Sequence, residues 1–303
     1  MKGFFISIFT CLSCIGVVAQ SDLQQLYDTQ KAFEQAAADK GIRSAFLEFL
    51  ADDSVIFHPN AVNGRAFWKA RENSSPALLI RSPTYTDIAA NGLIGYTTGN
   101  WELYPKGKTD PLVKFGQYVT VWEKKQDGKF RVSLDIDITH EKLSFSEIKR
   151  ITPIDKRIPP INKSRDLNRR GWSAVDPSMN FLRMSMSKKA LGGAYEKFAA
   201  RDVRLLRERE PPIIGRKNVV SATKRYTSIE FPKKTAMHES ADMAYVWNAC
   251  EYANSLEGTE KGNCLHIWKL RDKKWWIVLG VFARVSNETQ PTLKNRQKNR
   301  RSQ

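Results

Sequence analysis

The strongest constraint on the fold is an internal repeat. One series of helical periods, turns and strand-like runs occurs twice, in the same order and with similar spacing. The first half opens with a helical pattern from Leu23 to Leu50, in which Leu26, Phe33, Ala37, Phe46, Phe49 and Leu50 mark apolar faces and Gly41 divides two helices. A short strand through Asp53-Ser54-Val55-Ile56-Phe57 runs into His58-Pro59-Asn60, and Gly64-Arg65 opens another short helix. Three strands are predicted next: Leu93–Tyr104, Val113–Lys124 and Phe130–Thr139, the last two joined at Gln126-Asp127-Gly128. In the second half Ala194-Tyr195-Glu196 answers Ala32-Phe33-Glu34, and Gly215-Arg216 answers Gly64-Arg65. Met243–Tyr252 corresponds to the first long strand, Gly262 through Trp268 to Gly116 through Trp122, and Lys274–Leu279 to Lys129–Leu134. Single elements agree by chance, but a whole series in register does not.

The ends bound the compartment. Lys2, an uncharged apolar run from Phe4 to Val18, and Val17-Val18-Ala19 before Gln20 read as a signal peptide over residues 1–19. The expected location is therefore periplasmic or secreted. The run is shorter than the roughly 20 apolar residues of a membrane span, and no later segment is longer, so no transmembrane segment is expected. Retention as an anchor, or lipid attachment at Cys11 or Cys14, stays open. The divisions that follow are a first domain over 20–140, a basic Pro-containing linker over 141–185, a second, divergent domain over 186–287 and a basic tail over 288–303. Only Cys250 and Cys264 remain after cleavage, and in an oxidising compartment such a pair reads as a disulfide. The formal net charge of +17 is spread along the chain, with local excess in the linker and in Lys294–Arg301. An exported chain meets few nucleic acids, so no nucleic-acid partner is expected, and the tail reads as an arm drawn to an anionic surface.

The run from Gly116 through Trp122 and Gln126-Asp127-Gly128 to Phe130 resembles the closing hairpin of SnoaL-like proteins, within the nuclear transport factor 2-like superfamily. Ala51 to Val55, Pro59-Asn60-Ala61 and Gly64-Arg65 look like the group catalogued as domain of unknown function 4440. The resemblance covers most of Gln24–Thr139 and, more weakly, Lys188–Val285. It implies an α+β fold of two cone-shaped domains, each a strongly bent, mostly antiparallel sheet wrapped around N-terminal helices and leaving a pocket. Relatives of this kind include isomerases, dehydratases, polyketide cyclases and plain binding or assembly modules.

Strand alternation sorts the faces. Centring the hairpin on Gln126-Asp127 sets Trp122 beside Phe130, Thr120 beside Val132 and Tyr118 beside Leu134, a mostly apolar inner face. A matching register for the first long strand adds Tyr96, Thr98 and Asn100. The predicted ligand site is thus Tyr96, Thr98, Tyr118, Thr120 and Trp122, polar at one end and apolar at the other. Arg131, Ser133, Asp135 and Asp137 fall on the opposite, solvent-facing side. His58, at a strand end before a turn, is the candidate acid/base. No zinc-binding spacing, nucleophile elbow or phosphate loop appears, so neither metal nor cofactor is expected. In the second domain Arg209 is aligned with His58, Gly280 with Asp135, and Cys250 and Cys264 with Asn100 and Tyr118. Its last strand is apolar on both sides, so the face carrying Trp276, Val278 and Phe282 is expected to pack on the first domain or on another subunit.

Three functions follow from these readings. The first is an exported protein binding a small, partly apolar molecule in the first domain. The second is an isomerase-, dehydratase- or cyclase-type enzyme using His58, with Tyr96 or Tyr118 polarising an oxygen. The third is an assembly module acting through the second domain.

Overall fold

The computed structural model describes residues 12–72, 76–107, 111, 114–144, 173–187, 190–231, 236–254 and 258–285. Residues 1–11 of the expected signal peptide, residues 145–172 of the linker and the basic tail lie outside the described residues.

The first unit runs α1 (Leu12–Lys40), α2 (Ile42–Phe49), β1 (Leu50–Phe57), β2 (Ala61–Asn63), α3 (Gly64–Lys69), β3 (Leu78–Ile88), β4 (Ile94–Tyr104), β5 (Lys114–Lys124) and β6 (Phe130–His140). The second runs α4 (Val175–Met186), α5 (Leu191–Phe198), β7 (Ala199–Arg207), β8 (Glu210–Ile214), α6 (Arg216–Thr223), β9 (Tyr226–Glu230), β10 (Ala236–Ser240), β11 (Met243–Asn254), β12 (Gly258–Arg271) and β13 (Lys274–Arg284). Gly41 separates α1 from α2 at φ +84°, where a side chain would be strained.

Both units are α+β, and their sheets share one plan. The strand orders are β2-β1-β6-β5-β4-β3 and β10-β11-β12-β13-β7-β8, with β9 also paired to β11. In each, the strand that follows the helices pairs in parallel with the last strand, and the other ladders are antiparallel. The first sheet is strongly bent. Arg81 on β3 and Asp135 on β6 are three strands apart, roughly 14 Å in a flat sheet. Their side chains nevertheless meet at 2.8 Å.

Both hairpins carry a bulge at the same place. Trp122 pairs with Val132 but Val121 pairs with Leu134, skipping Ser133; Trp268 pairs with Ile277 but Ile267 pairs with Leu279, skipping Val278. Past each bulge the side chains change faces. Five strands were absent from the sequence reading, among them the short β2 and β8. β3 contains Pro83, which interrupts the ladder at a register shift and can be tolerated on an edge strand; β9 and β10 are short. Helix α4 begins at Val175, within the segment read as linker, and seats Phe181 and Leu182 in the second core.

The helices of each unit fill the concave side of its sheet. In the first, Leu26, Phe33 and Phe46 meet Trp122, Phe130 and Val132. In the second, Phe181, Tyr195 and Phe198 meet Trp268, Ile277 and Phe282. A third core lies between the units, where the convex faces meet: Val119, Val121, Leu134, Ile136 and Ile138 against Leu265, Ile267, Val278, Leu279 and Val281. The expected packing of the second sheet on the first is therefore observed, with Val278 in this seam and Trp276 at its edge. Phe282 is a correction: the bulge at Val278 turns it into the core of its own unit and brings Val281 to the seam instead. Polar groups rim the seam. Lys269 Nζ donates to the Ile88 carbonyl at 2.6 Å and lies 3.3 and 3.4 Å from Asp87 and Asp242.

Candidate functional site

The concave face of the first sheet holds Tyr118, Thr120 and Trp122 as expected, all three buried. The hairpin register differs by two, with Lys124 rather than Trp122 opposite Phe130, because Lys125 and Lys129 close a longer turn. The partner strand is a correction. Tyr96 and Thr98 pair with Val121 and Val119, residues of the convex face, and Tyr96 lies in the seam between the units. Thr98 donates its hydroxyl to the Tyr118 carbonyl at 2.6 Å and Asn100 accepts from the Gln117 side chain, so these groups are spent within the sheet. The concave position belongs to Thr97, which receives the Trp122 indole N–H at 3.0 Å and donates to Gln30 at 2.7 Å.

A second correction matters more for chemistry. Asp135 and Asp137, read as residues of a solvent-facing strand side, are turned to the concave side by the bulge at Ser133. Asp135 accepts two Arg81 N–H groups, both at 2.8 Å, and the Thr120 hydroxyl at 2.6 Å. The Arg81 guanidinium lies 4.6 Å from the Tyr118 ring centroid and 5.4 and 5.5 Å from those of Phe33 and Phe46. Burial alone would weaken the Arg81 charge, but the Asp135 carboxylate outweighs it and raises the guanidinium pKa. The Tyr118 hydroxyl is buried beside Thr97, and burial raises its pKa, so it stays protonated.

Asp137 is the next concave position, opposite Tyr118. Its side chain is exposed to water on the concave face, with protein packed close beneath it. Burial first, and then the Asp135 charge, push its pKa up to about 6 against the pull of Arg81 and Lys114. Continuing the β1–β6 register (Val55 with Leu134, Ile56 with Asp135) sets His58 in the lane of Asp137. His58 is exposed, with Nε2 3.1 Å from an Arg71 nitrogen and its ring 4.7 Å from Phe67, edge-on. Burial, Arg71 and Lys114 lower its pKa, so the ring is neutral at neutral pH and accepts from Arg71. Lys114 thus acts on both groups. At this mouth of the sheet a weakly acidic carboxyl and a neutral imidazole stand near aromatic rings, with a tyrosine and a buried ion pair behind them.

Sequence reasoning missed Arg81, Arg71, Lys114 and the inward Asp137. A signal existed for Arg81: it is the lone charge in Leu78-Leu79-Ile80-Arg81, an otherwise apolar run.

The second unit closes the corresponding space. Gly280 and Phe282 stand where the first has Asp135 and Asp137, and His266 stands where it has Thr120. A side chain at Gly280 would meet the Tyr195 hydroxyl, which lies 2.9 Å from His266 Nε2. Burial pushes His266 down to about 3, so it is a neutral core residue. Cys250 and Cys264 form the expected disulfide, but diagonally, since Cys264 faces Asn248 and Cys250 faces Gly262. The β7–β13 register places Arg207, not Arg209, opposite Phe282 and hence in the lane of His58.

Among the described residues no group of three His, Cys, Asp or Glu side chains could hold a metal ion, and no helix is long and apolar enough to cross a membrane. No protein-family model matches the sequence, and no curated protein is similar to it. Solved structures are similar in fold. A nuclear transport factor 2-like protein with a cystatin-like fold from Novosphingobium aromaticivorans is 10% identical, with a TM-score of 0.36 over 46% of this chain and 95% of its own. A nuclear transport factor 2-like protein of unknown function from Prochlorococcus is 16% identical, with a TM-score of 0.32 over 38% and 96%. A Mycobacterium tuberculosis protein of unknown function is 11% identical, with a TM-score of 0.34 over 40% and 78%.

Proposed function

We propose that this chain is an exported protein of two tandem SnoaL-like units, and that the first binds a small, partly apolar molecule on the concave face at Asp137. The observation that carries the reading is Asp137 itself. It is a carboxyl on the concave face, open to water and held near pKa 6, where the equivalent position of the second unit is closed by Phe282. Tyr118 supplies a protonated hydroxyl behind it, and Phe67 and His58 give the mouth an aromatic side. A few polar groups among rings are what a small-molecule site needs. Export rests on the pattern of residues 1–19.

Native mass spectrometry of the purified full chain tests this. The expected spectrum carries the chain plus a bound small molecule, and the added mass is lost in a folded Asp137→Asn variant. The bare chain mass alone, in every preparation, would sink the reading.

An enzymatic reading of the same face is favoured by one pairing. Asp137, near 6, and neutral His58 occupy the same lane on adjacent strands, and groups that gain and lose protons near neutrality serve as general acid and base. An isomerase, dehydratase or cyclase would then lose turnover of a carbonyl or epoxide substrate in His58→Ala and in Asp137→Asn. Its rate would fall at acid pH as Asp137 takes a proton near 6. Binding with unchanged turnover in both variants would leave the protein a binder.

A further inference from the structure

A cavity of about 140 Å³ opens at the mouth of the second unit. It is lined by the β7–β8 turn, Arg207 to Glu210, together with Tyr252 of β11, Glu260 of β12 and Arg284 of β13. We propose that this cavity is a binding site for a small carboxylate or similar monoanion, with Arg207 as its anchor. Its walls do not include Asp137, although Glu208 on its turn feels the Asp137 charge, and binding there does not depend on the function proposed for the first unit.

Charge carries the argument. Glu210 holds two guanidinium groups, Arg207 at 2.8 Å and Arg225. Glu260 holds one, Arg284 at 2.9 Å, and Arg209 on the exposed turn pairs with no carboxylate among the described residues. The cavity wall itself carries three arginines and three glutamates, Glu208 being the third, and Arg225 stands behind Glu210, so the cluster holds one surplus positive charge with Glu208 ionised and two with Glu208 neutral. Arg207 is the buried member, 4% exposed, stacked 4.8 Å from the Tyr226 ring, and its Nε has no hydrogen-bond partner. Arg207 lines the open volume, and a buried guanidinium whose donors are incompletely satisfied favours an anionic group entering beside it, because a desolvated donor costs free energy until something accepts from it. The volume matches roughly four or five waters, or one small carboxylate.

Glu208 adds a pH response. Its Oε1 accepts from the Thr139 N–H at 3.0 Å, and Arg209 N–H donates to the Thr139 carbonyl at 2.7 Å, so the turn is clasped to the end of β6. Burial, and then the charge of Asp137, push its pKa up to about 7, opposed by the Thr139 N–H and Arg209. Below that pH Glu208 is neutral and can donate to an anion; above it the carboxylate repels one. The other charged and titratable groups around it are those of the cavity wall, Arg207, Glu210, Tyr252, Glu260 and Arg284. Anion affinity is therefore expected to rise as pH falls through 7.

Isothermal titration calorimetry of the full chain with sodium acetate and sodium pyruvate tests the proposal, with choline chloride as a cation control. Expected is saturable carboxylate binding and none for choline, tighter at pH 6 than at pH 8, with that difference abolished by Glu208→Gln. Arg207→Gln is expected to weaken binding about tenfold or more, the loss of a charge-assisted donor pair. Arg209→Gly gives a second variant that folds readily, since Arg209 sits exposed at φ +65°, where glycine is at ease. Arg201→Gln removes the same charge from an exposed position outside the cavity and is expected to change nothing. The proposal is overturned by absence of carboxylate binding at high millimolar concentration. Equal weakening in Arg201→Gln, or full affinity in folded Arg207→Gln and Arg209→Gly, overturns it as well.

Discussion

Asp135 and Asp137 share one strand face, two positions apart, and their surroundings divide their roles. Asp135 is neutralised by a bidentate guanidinium, while Asp137 stands beyond it with no such partner and is pushed up to about 6. Replacing Asp135 by Asn would leave Arg81 charged and buried without its counter-ion. The expected cost is roughly 3–5 kcal/mol in urea unfolding, whereas Arg81→Met with Asp135→Leu is expected to recover most of it. Asp135→Asn also removes the like charge beside Asp137 and frees the field of Arg81. The Asp137 titration, followed by carboxyl NMR in whatever fraction stays folded, is expected to move down from about 6. None of this was legible residue by residue. Alternation assigned Tyr118, Thr120 and Trp122 to the concave face correctly, since β5 itself has no inserted residue. It assigned Asp135 and Asp137 to the wrong face because Ser133 is an extra residue that period-two counting cannot see.

At the scale of elements, the helices, the strand after them and the three long strands were legible from apolar period and from Gly41 and the Gln126-Asp127-Gly128 turn. The edge strand β3 was not, because Pro83 argues against a strand wherever its position in the sheet is unknown. Helix α4 was hidden in a stretch whose charge and prolines dominate its composition, though Phe181 and Leu182 are its buried contribution. The disulfide needed only two cysteines in two paired strands, and it was read correctly despite a register error of two residues. It closes a loop of sequence separation 14 across β11 and β12. Reduction is expected to lower unfolding stability by about 3 kcal/mol on the chain-entropy account. Denaturant melts with and without dithiothreitol measure this; two free thiols in the unreduced chain would refute the bond itself.

For the whole molecule, the convex faces of two similarly built sheets cover one another, with strand β6 against its counterpart β13. That arrangement answers why the last strand of the second unit is apolar on both sides, and it leaves Val278, Leu279 and Val281 engaged within the chain rather than offered to another copy. The assembly reading, which relied on that face being free, loses its surface. The seam's energetics separate its centre from its edge. Val281 is fully buried among apolar groups, so Val281→Asp places a carboxylate where no partner exists, and a loss of roughly 3–5 kcal/mol is expected. Trp276 lies at the margin, half-buried between Lys274 at 3.8 Å and Arg216 at 5.2 Å from its ring, so Trp276→Lys loses packing and two cation–aromatic contacts but buries no charge. Its expected cost is smaller, about 1–2 kcal/mol. Urea unfolding of both variants, read beside sedimentation of the wild type as a monomer, distinguishes this seam from a contact between chains. If Val281→Asp left stability unchanged while altering the oligomeric state, the two sheets would not be each other's partners.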